Sequence, residues 1–232
     1  MRFSTWRALG NTYRVVEPEG IPLDADGVRK LAEGTDGVVE IVSEREGTLE
    51  VVIWNPDGSQ AELSGNGTRI AAAWLVSRTG VMDAEIVTAG RVTRARVLES
   101  GHIEQELGEV EVGSRETIVG VTFTPVSVGN PHAVVLGDPD DIREIGPLLE
   151  THPRFPSRTN VQVVRVDRPG EVTARVWERG VGETLSSGTS AVAVAAATHG
   201  SGSVLVHFPG GDLHVHLEGG RATLVGPAER VD

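Results

Sequence analysis

This sequence predicts an α+β fold of two similar halves, each a set of strands wrapped about one central helix. Three observations carry that reading. The chain repeats itself, its apolar residues alternate in short runs punctuated by glycine and proline, and an alanine-rich apolar stretch follows a Ser-Gly turn in each half.

The repeat comes first, because a missed repeat misassigns the whole fold. The segment from Trp54 to Trp74 aligns without a gap on Trp177 to Ala197, placing Trp on Trp, Ser64 on Ser187, Gly65 on Gly188 and Ala72 on Ala195. A second block sets Leu9 to Val16 against Val128 to Val135, and a third sets Thr35-Asp36-Gly37 against Thr159-Asn160-Val161. Three blocks in the same order at nearly the same spacing imply two homologous halves, residues 1–117 and 118–232, with the last strand able to return to the N-terminal half.

The strands follow from period-two patterning. Leu49-Glu50-Val51-Val52-Ile53-Trp54 and Val172-Thr173-Ala174-Arg175-Val176-Trp177 alternate as half-buried strands do. The helices follow from Ile70 to Val76 and Ala191 to Ala197, which are rich in a strong helix former and lack a wide polar face. A helix that is apolar all round is normally buried, so each belongs at the centre of its half.

Composition narrows the function classes. A net charge of −12, with acidic residues scattered along the chain, argues against nucleic acid and anionic membrane, whose phosphates need Lys and Arg. No apolar run approaches the roughly 18 residues of a membrane helix, and the polar N-terminus does not read as a secretory signal. The expected location is the cytoplasm and the expected partner a small molecule. The absence of cysteine excludes disulfides, thiolate metal sites and cysteine catalysis.

A helix N-terminus offers unpaired N–H groups and the positive end of a dipole, which suits a carboxylate or oxyanion. Two such starts are expected, at Ser64-Gly65-Asn66-Gly67-Thr68 and Ser186-Ser187-Gly188-Thr189-Ser190. Either alone reads as a simple cap. As a duplicated pair they suggest a cleft between the halves where two groups address opposite sides of one carbon, which is what a racemase needs. Gly10-Asn11 and Gly129-Asn130 form a second repeated marker, whose carboxamides can both donate to and accept from a zwitterion. Alone, Gly-Asn is more often a turn. Glu178-Arg179 follows a strand and could hold an ammonium and a carboxylate, although a surface ion pair is the commoner use of such residues. His132 is the one histidine in a repeated block, whereas His207, His214 and His216 alternate as a solvated strand face would. No metal-ligand spacing stands out.

Taken in order, Leu9-Gly10-Asn11, Asn55-x-Asp57-Gly58-Ser59, Gly65-Asn66-Gly67-x-Arg69, Gly129-Asn130-Pro131-His132, Thr159-Asn160-Val161, Glu178-Arg179-Gly180-x-Gly182-Glu183-Thr184 and Gly226-Pro227-Ala228-Glu229 resemble diaminopimelate epimerase across nearly the whole chain. The resemblance implies a strand barrel or strongly curved sheet around each central helix. It further implies interconversion of LL- and meso-diaminopimelate on the lysine pathway, with no cofactor or metal, and leaves room for a homodimer. In that family two cysteines do the acid–base work, and the corresponding positions here are Ser64 and Ser187. The family's ligand contacts fall on Asn11, Asn55, Gly65, Asn66, Asn130, Asn160, Glu178, Arg179, Gly188 and Thr189, and the groups that tune the two thiols fall on His132 and Glu178. The chain departs from the family at both serines, at Gly37 where some members carry a ligand-contacting Gln, and in being shorter.

The serines change the chemistry. A thiol ionises near pH 8.5 and is lowered further at a helix N-terminus, while a dipole of about 2 kcal/mol at best moves an alcohol by only a unit or two. Either a neighbour such as His132 or Glu178 activates the serine, or epimerisation is weak or absent. A divergent isomerase or lyase acting on another small amino acid, and a non-catalytic paralogue that keeps the pocket, are the alternatives.

Overall fold

A computed structural model describes residues 2–17, 20, 22–61 and 64–232. The chain divides into two compact units, one of Met1–Glu106 with Val225–Asp232, the other of Leu107–Leu224.

In the first unit β1 (Phe3–Ala8) and β2 (Asn11–Val16) form an antiparallel hairpin, followed by α1 (Ala25–Leu31), the hairpin of β3 (Gly37–Arg45) and β4 (Thr48–Trp54), α2 (Gly65–Thr79), and β5 (Asp83–Thr88) with β6 (Arg91–Val97). The next strand is β7 (Ile103–Glu109). Two-residue loops close the first two hairpins. Leu9 and Gly10, and again Glu46 and Gly47, all take positive φ, the conformation whose twist matches that of the flanking strands. The helices serve as crossovers, so that β2 runs parallel to β3 across α1 and β4 parallel to β5 across α2.

The second unit repeats the plan. Short strands β8 (Glu111–Val112) and β9 (Glu116–Ile118) lead into β10 (Val121–Ser127) and β11 (Pro131–Leu136), then α3 (Ile142–Glu150), β12 (Asn160–Arg168), β13 (Glu171–Glu178), β14 (Gly182–Thr184), α4 (Gly188–Thr198), and β15 (Gly202–Phe208) with β16 (Gly211–Glu218). Here β11 pairs parallel with β12 and β13 with β15. The duplication reaches a detail: the register slips between Ile41 and Ser43 where β3 meets β4, and between Val166 and Arg168 where β12 meets β13. The chain ends in β17 (Arg221–Gly226) and β18 (Glu229–Arg230), and β18 pairs with β1.

Helix α2 touches each of β1 to β6, and α4 touches β10 to β13, β15 and β16, so each is the axis its strands wrap. Burial explains why. Ile70, Ala71, Ala72, Trp74 and Leu75 are buried along α2, and Ala191 to Ala196 along α4. Covering a large apolar side chain contributes roughly 1.5–3 kcal/mol, which is how helices with no amphipathic face are held inside a sheet. Both helices begin earlier than their apolar stretches. α2 starts five residues before Ile70 because Asn66, Thr68 and Arg69, polar but buried, find partners within the unit. No helix among the described residues is long and apolar enough to cross a membrane.

The repeated tryptophans keep their places but not their partners. Trp54 Nε1 donates to Glu40 Oε2 of β3 at 2.9 Å, whereas Trp177 Nε1 donates to Glu150 Oε2 at the end of α3 at 2.7 Å. A buried indole N–H needs an acceptor, and each half supplies one from a different element.

Candidate functional site

Ser64 is the N-cap of α2. Its extended backbone (φ −135°, ψ 108°) lets Oγ accept the Gly67 N–H at 3.0 Å while its carbonyl accepts Thr68 N–H at 2.9 Å. Gly67 is required there: a Cβ would lie 2.8 Å from Ile53 Cδ1 and 3.2 Å from Ser64 Oγ. The Tyr13 hydroxyl lies 3.5 Å from Ser64 Oγ. Behind the first turn, Gln105 is fully buried. Its Nε2 donates to Gly65 O at 3.1 Å and its Oε1 accepts from Thr68 Oγ1 at 2.8 Å. Asn66 is buried, and its Oδ1 accepts from Arg69 Nη2 at 2.6 Å, which puts the donor nitrogen on the opposite side of the carboxamide.

Asn11 opens β2 and is buried. Asn55 stands at a turn, with Nδ2 donating to Ser59 Oγ at 2.9 Å. Asp57 organises this turn by accepting from Ser59 Oγ and N, bonds that hold its carboxyl below the usual carboxylate range.

Ser187 is the N-cap of α4 with the same extended backbone (φ −149°, ψ 128°), but its side chain makes no capping bond. The buttress differs as well. Gln162, fully buried, donates from Nε2 to Ser190 Oγ at 2.9 Å and to His132 Nδ1 at 3.0 Å. His132 Nε2 lies 2.8 Å from Asn130 Oδ1, and Asn130 Nδ2 is 3.4 Å from Thr189 Oγ1. Those partners fix a neutral imidazole with its proton on Nε2. Burial pushes the His132 imidazole down to about 3, a shift the Gln162 bond opposes and the Arg179 charge reinforces. Both ring nitrogens are engaged, and neither bond goes to Ser187.

Asn160 joins the elements around α4: Oδ1 accepts Arg179 N–H at 3.0 Å, and Nδ2 donates to Pro131 O at 3.1 Å. Glu178 Oε1 accepts from Thr184 Oγ1 at 2.5 Å, and Arg179 Nη1 donates to Ser157 O at 3.3 Å. Glu150 accepts Gly180 N–H at 2.7 Å, shaping the turn that follows Glu178-Arg179. A groove of about 470 Å³ in this unit runs past Gly129, Asn130, Pro131 and His132 to Arg154 and Phe155.

Within the first unit, Gly65 and Asn66 therefore gather with Ser64 at one helix start. In the second, Asn130, His132, Gly188 and Thr189 gather with Ser187, and Asn160, Glu178 and Arg179 form the adjoining cluster. Tyr13, Gln105, Gln162 and Glu150 were not expected from the sequence. Only Tyr13 carried a signal, since the second repeated block aligns it with His132. His214 and His216 are exposed on β16, while His207 lies on β15 and pairs with Asp212 at 2.7 Å and Glu171 at 3.2 Å. Among the described residues, no group of three or more His, Asp or Glu could hold a metal.

Residues 124–231 match the family model for diaminopimelate epimerase. The diaminopimelate epimerase of Desulforudis audaxviator (strain MP104C) is 38% identical over all of this chain and 97% of its own length. Diaminopimelate epimerase 2 of Nostoc sp. (strain PCC 7120 / SAG 25.82 / UTEX 2576) is 34% identical over 94% of this chain and 89% of its own. Among solved structures, a hydroxyproline epimerase from Agrobacterium vitis with bound trans-4-hydroxy-L-proline superposes with a TM-score of 0.71 over 99% of this chain and 88% of that one. At 16% identity, that likeness shows the fold.

Proposed function

Because this chain belongs to the diaminopimelate epimerase family and is an isomerase of the epimerase and racemase kind, we propose that it interconverts LL- and meso-diaminopimelate by two-base α-proton exchange, as a step of lysine biosynthesis. Ser64 and Ser187 hold the two base positions. The observation that carries the reading is that each serine stands at the N-cap position of one of the two duplicated central helices, where helix-start N–H groups and the helix dipole favour a negative charge. Gly65 and Asn66 at one helix start, and Gly188 and Thr189 at the other, receive the substrate's anionic end. Asn11, Asn55, Asn130 and Asn160 supply further donors and acceptors, and Glu178 and Arg179 recognise an ammonium and a carboxylate. His132, neutral and bonded to Asn130, supports that carboxamide.

Serine at both positions favours a second reading, a related isomerase acting on an amino acid with a more acidic α-proton. Proton exchange in deuterated water separates the two. Exchange with inversion on LL- or meso-diaminopimelate upholds the first, and exchange confined to another amino acid replaces it with the second. Calorimetry with diaminopimelate tests the pocket: Arg179→Ala and Asn66→Ala each weaken binding by about 1.5–3 kcal/mol, as expected for charge-assisted bonds. Changes at His214 or His216 leave it intact. Equal affinities across these variants would count against the pocket.

A further inference from the structure

Tyr13 is the single tyrosine of the chain and is buried in the core of the first unit. Register sets it opposite Trp6 of β1 and Gly37 of β3. Position 37 admits no side chain, because a Cβ there would lie 2.6 Å from the Trp54 carbonyl oxygen and 2.6 Å from Tyr13 Cε1. The ring thus fills the space a side chain at 37 would take, and from that seat its hydroxyl reaches to 3.5 Å from Ser64 Oγ. Contacts that carry protons are often long before substrate binds and tighten afterwards. Ser64 Oγ already accepts the Gly67 N–H, so its own hydrogen can turn toward Tyr13.

Arg69 adds a charge. It is fully buried, its Nη1 has no hydrogen-bond partner, and among the described residues no carboxylate pairs with it. Burial lowers its pKa to about 10, an effect its electrostatic coupling to Tyr13 opposes, so it remains a cation at neutral pH. An isolated buried cation is costly, and a negative oxygen nearby relieves that cost. Of the charged side chains on neighbouring segments, Arg7 pairs with Glu229, Arg14 donates to Leu31 O, Asp36 accepts the Thr12 N–H, and Glu40 accepts from Trp54 and Leu23. The duplication points the same way, since β2 carries Tyr13 at the position where β11 carries His132.

We infer that Tyr13 is the proton partner of Ser64, its phenolate form stabilised by the buried Arg69 guanidinium, and that Ser64 relays a proton between the substrate α-carbon and the Tyr13 oxygen. This rests on the reading that Ser64 holds one base position. In the forward step the Cα–H proton moves to Ser64 Oγ as the Ser64 hydroxyl proton moves to the phenolate oxygen, leaving the electron pair on carbon. Reversal returns a proton from Tyr13 through Ser64.

Because no other tyrosine is present, tyrosinate absorbance titrates this residue alone. The expected midpoint is lower in the natural chain and in Arg69→Lys than in Arg69→Met, and coincident midpoints in all three overturn the inference. In deuterated water Tyr13→Phe should slow α-proton exchange of diaminopimelate by about a hundredfold, the scale of one acid–base partner, with affinity by calorimetry changed by less than about twofold. Adding Ser64→Cys to Tyr13→Phe restores exchange, because a thiol ionises without a partner. Exchange unaffected by Tyr13→Phe overturns the relay and leaves the proposed function standing. No exchange by the natural chain on either isomer overturns both.

Discussion

The starts of α2 and α4 share a Ser-Gly sequence, an extended cap residue and a buried glutamine behind the first turn, yet their hydrogen bonds differ. Ser64 Oγ is held by Gly67 N–H and lies beside Tyr13, whereas Ser187 Oγ makes no capping bond. Gln105 braces its helix through Gly65 and Thr68. Gln162 braces Ser190 and, through His132, the Asn130 carboxamide. Duplication has kept the backbone plan, with a register slip in each of the two corresponding hairpins, while the groups around each serine have diverged. A repeated backbone position is thus not a repeated chemical environment.

The sharpest challenge to this contrast is to make the two positions chemically alike. The double variant Ser64→Cys with Ser187→Cys should raise diaminopimelate epimerisation by about a hundredfold or more, while Ser64→Cys alone should not, since a racemase needs a competent base on one face and an acid on the other and the single change leaves serine at position 187. Rates of alkylation measured on the single variants refine it. The thiol of Ser64→Cys, facing the Gly67 N–H, should react faster than the thiol of Ser187→Cys, and the natural chain, lacking cysteine, should be inert. Equal rates at both positions would mean that the observed hydrogen bonds do not distinguish the two helix starts.

A smaller effect tests the buttress. Gln162→Leu leaves His132 Nδ1 and Ser190 Oγ without their donor and should destabilise the fold by about 1–3 kcal/mol in denaturant unfolding. A loss within error would show that water or a rearranged His132 takes over.

His132 also predicts a pH dependence. Its folded value of about 3 lies below its unfolded one near 6.5, so below that pH the unfolded chain binds the proton more readily and stability falls as pH drops toward 3. The slope contributed by this one group is at most about 1.4 kcal/mol per pH unit, and His132→Asn should flatten the stability profile between about pH 6.5 and pH 4. An unchanged profile would place the imidazole in a more polar setting than its burial implies.

The smallest effect separates the caps themselves. Ser64→Ala removes a capping bond and should cost about 1 kcal/mol, while Ser187→Ala, which removes none, should cost only a few tenths. Equal costs would erase the distinction.

Whatever depends on local order was legible in the chain itself. Period-two runs placed β4 and β13, alanine-rich stretches placed α2 and α4, and the Ser-Gly turns placed both serines at helix starts, since capping and periodicity are short-range properties. The repeat set the plan of each half. What surrounds those helix starts came from tertiary packing. Gln105 reaches Gly65 from β7, Gln162 reaches Ser190 from β12, Glu150 reaches Gly180 from α3, and Tyr13 meets Ser64 only because Gly37 leaves its ring room. A buried polar group must find its partner in space. Which distant residue provides it depends on how the strands pack around the helix, information that no local window of sequence contains.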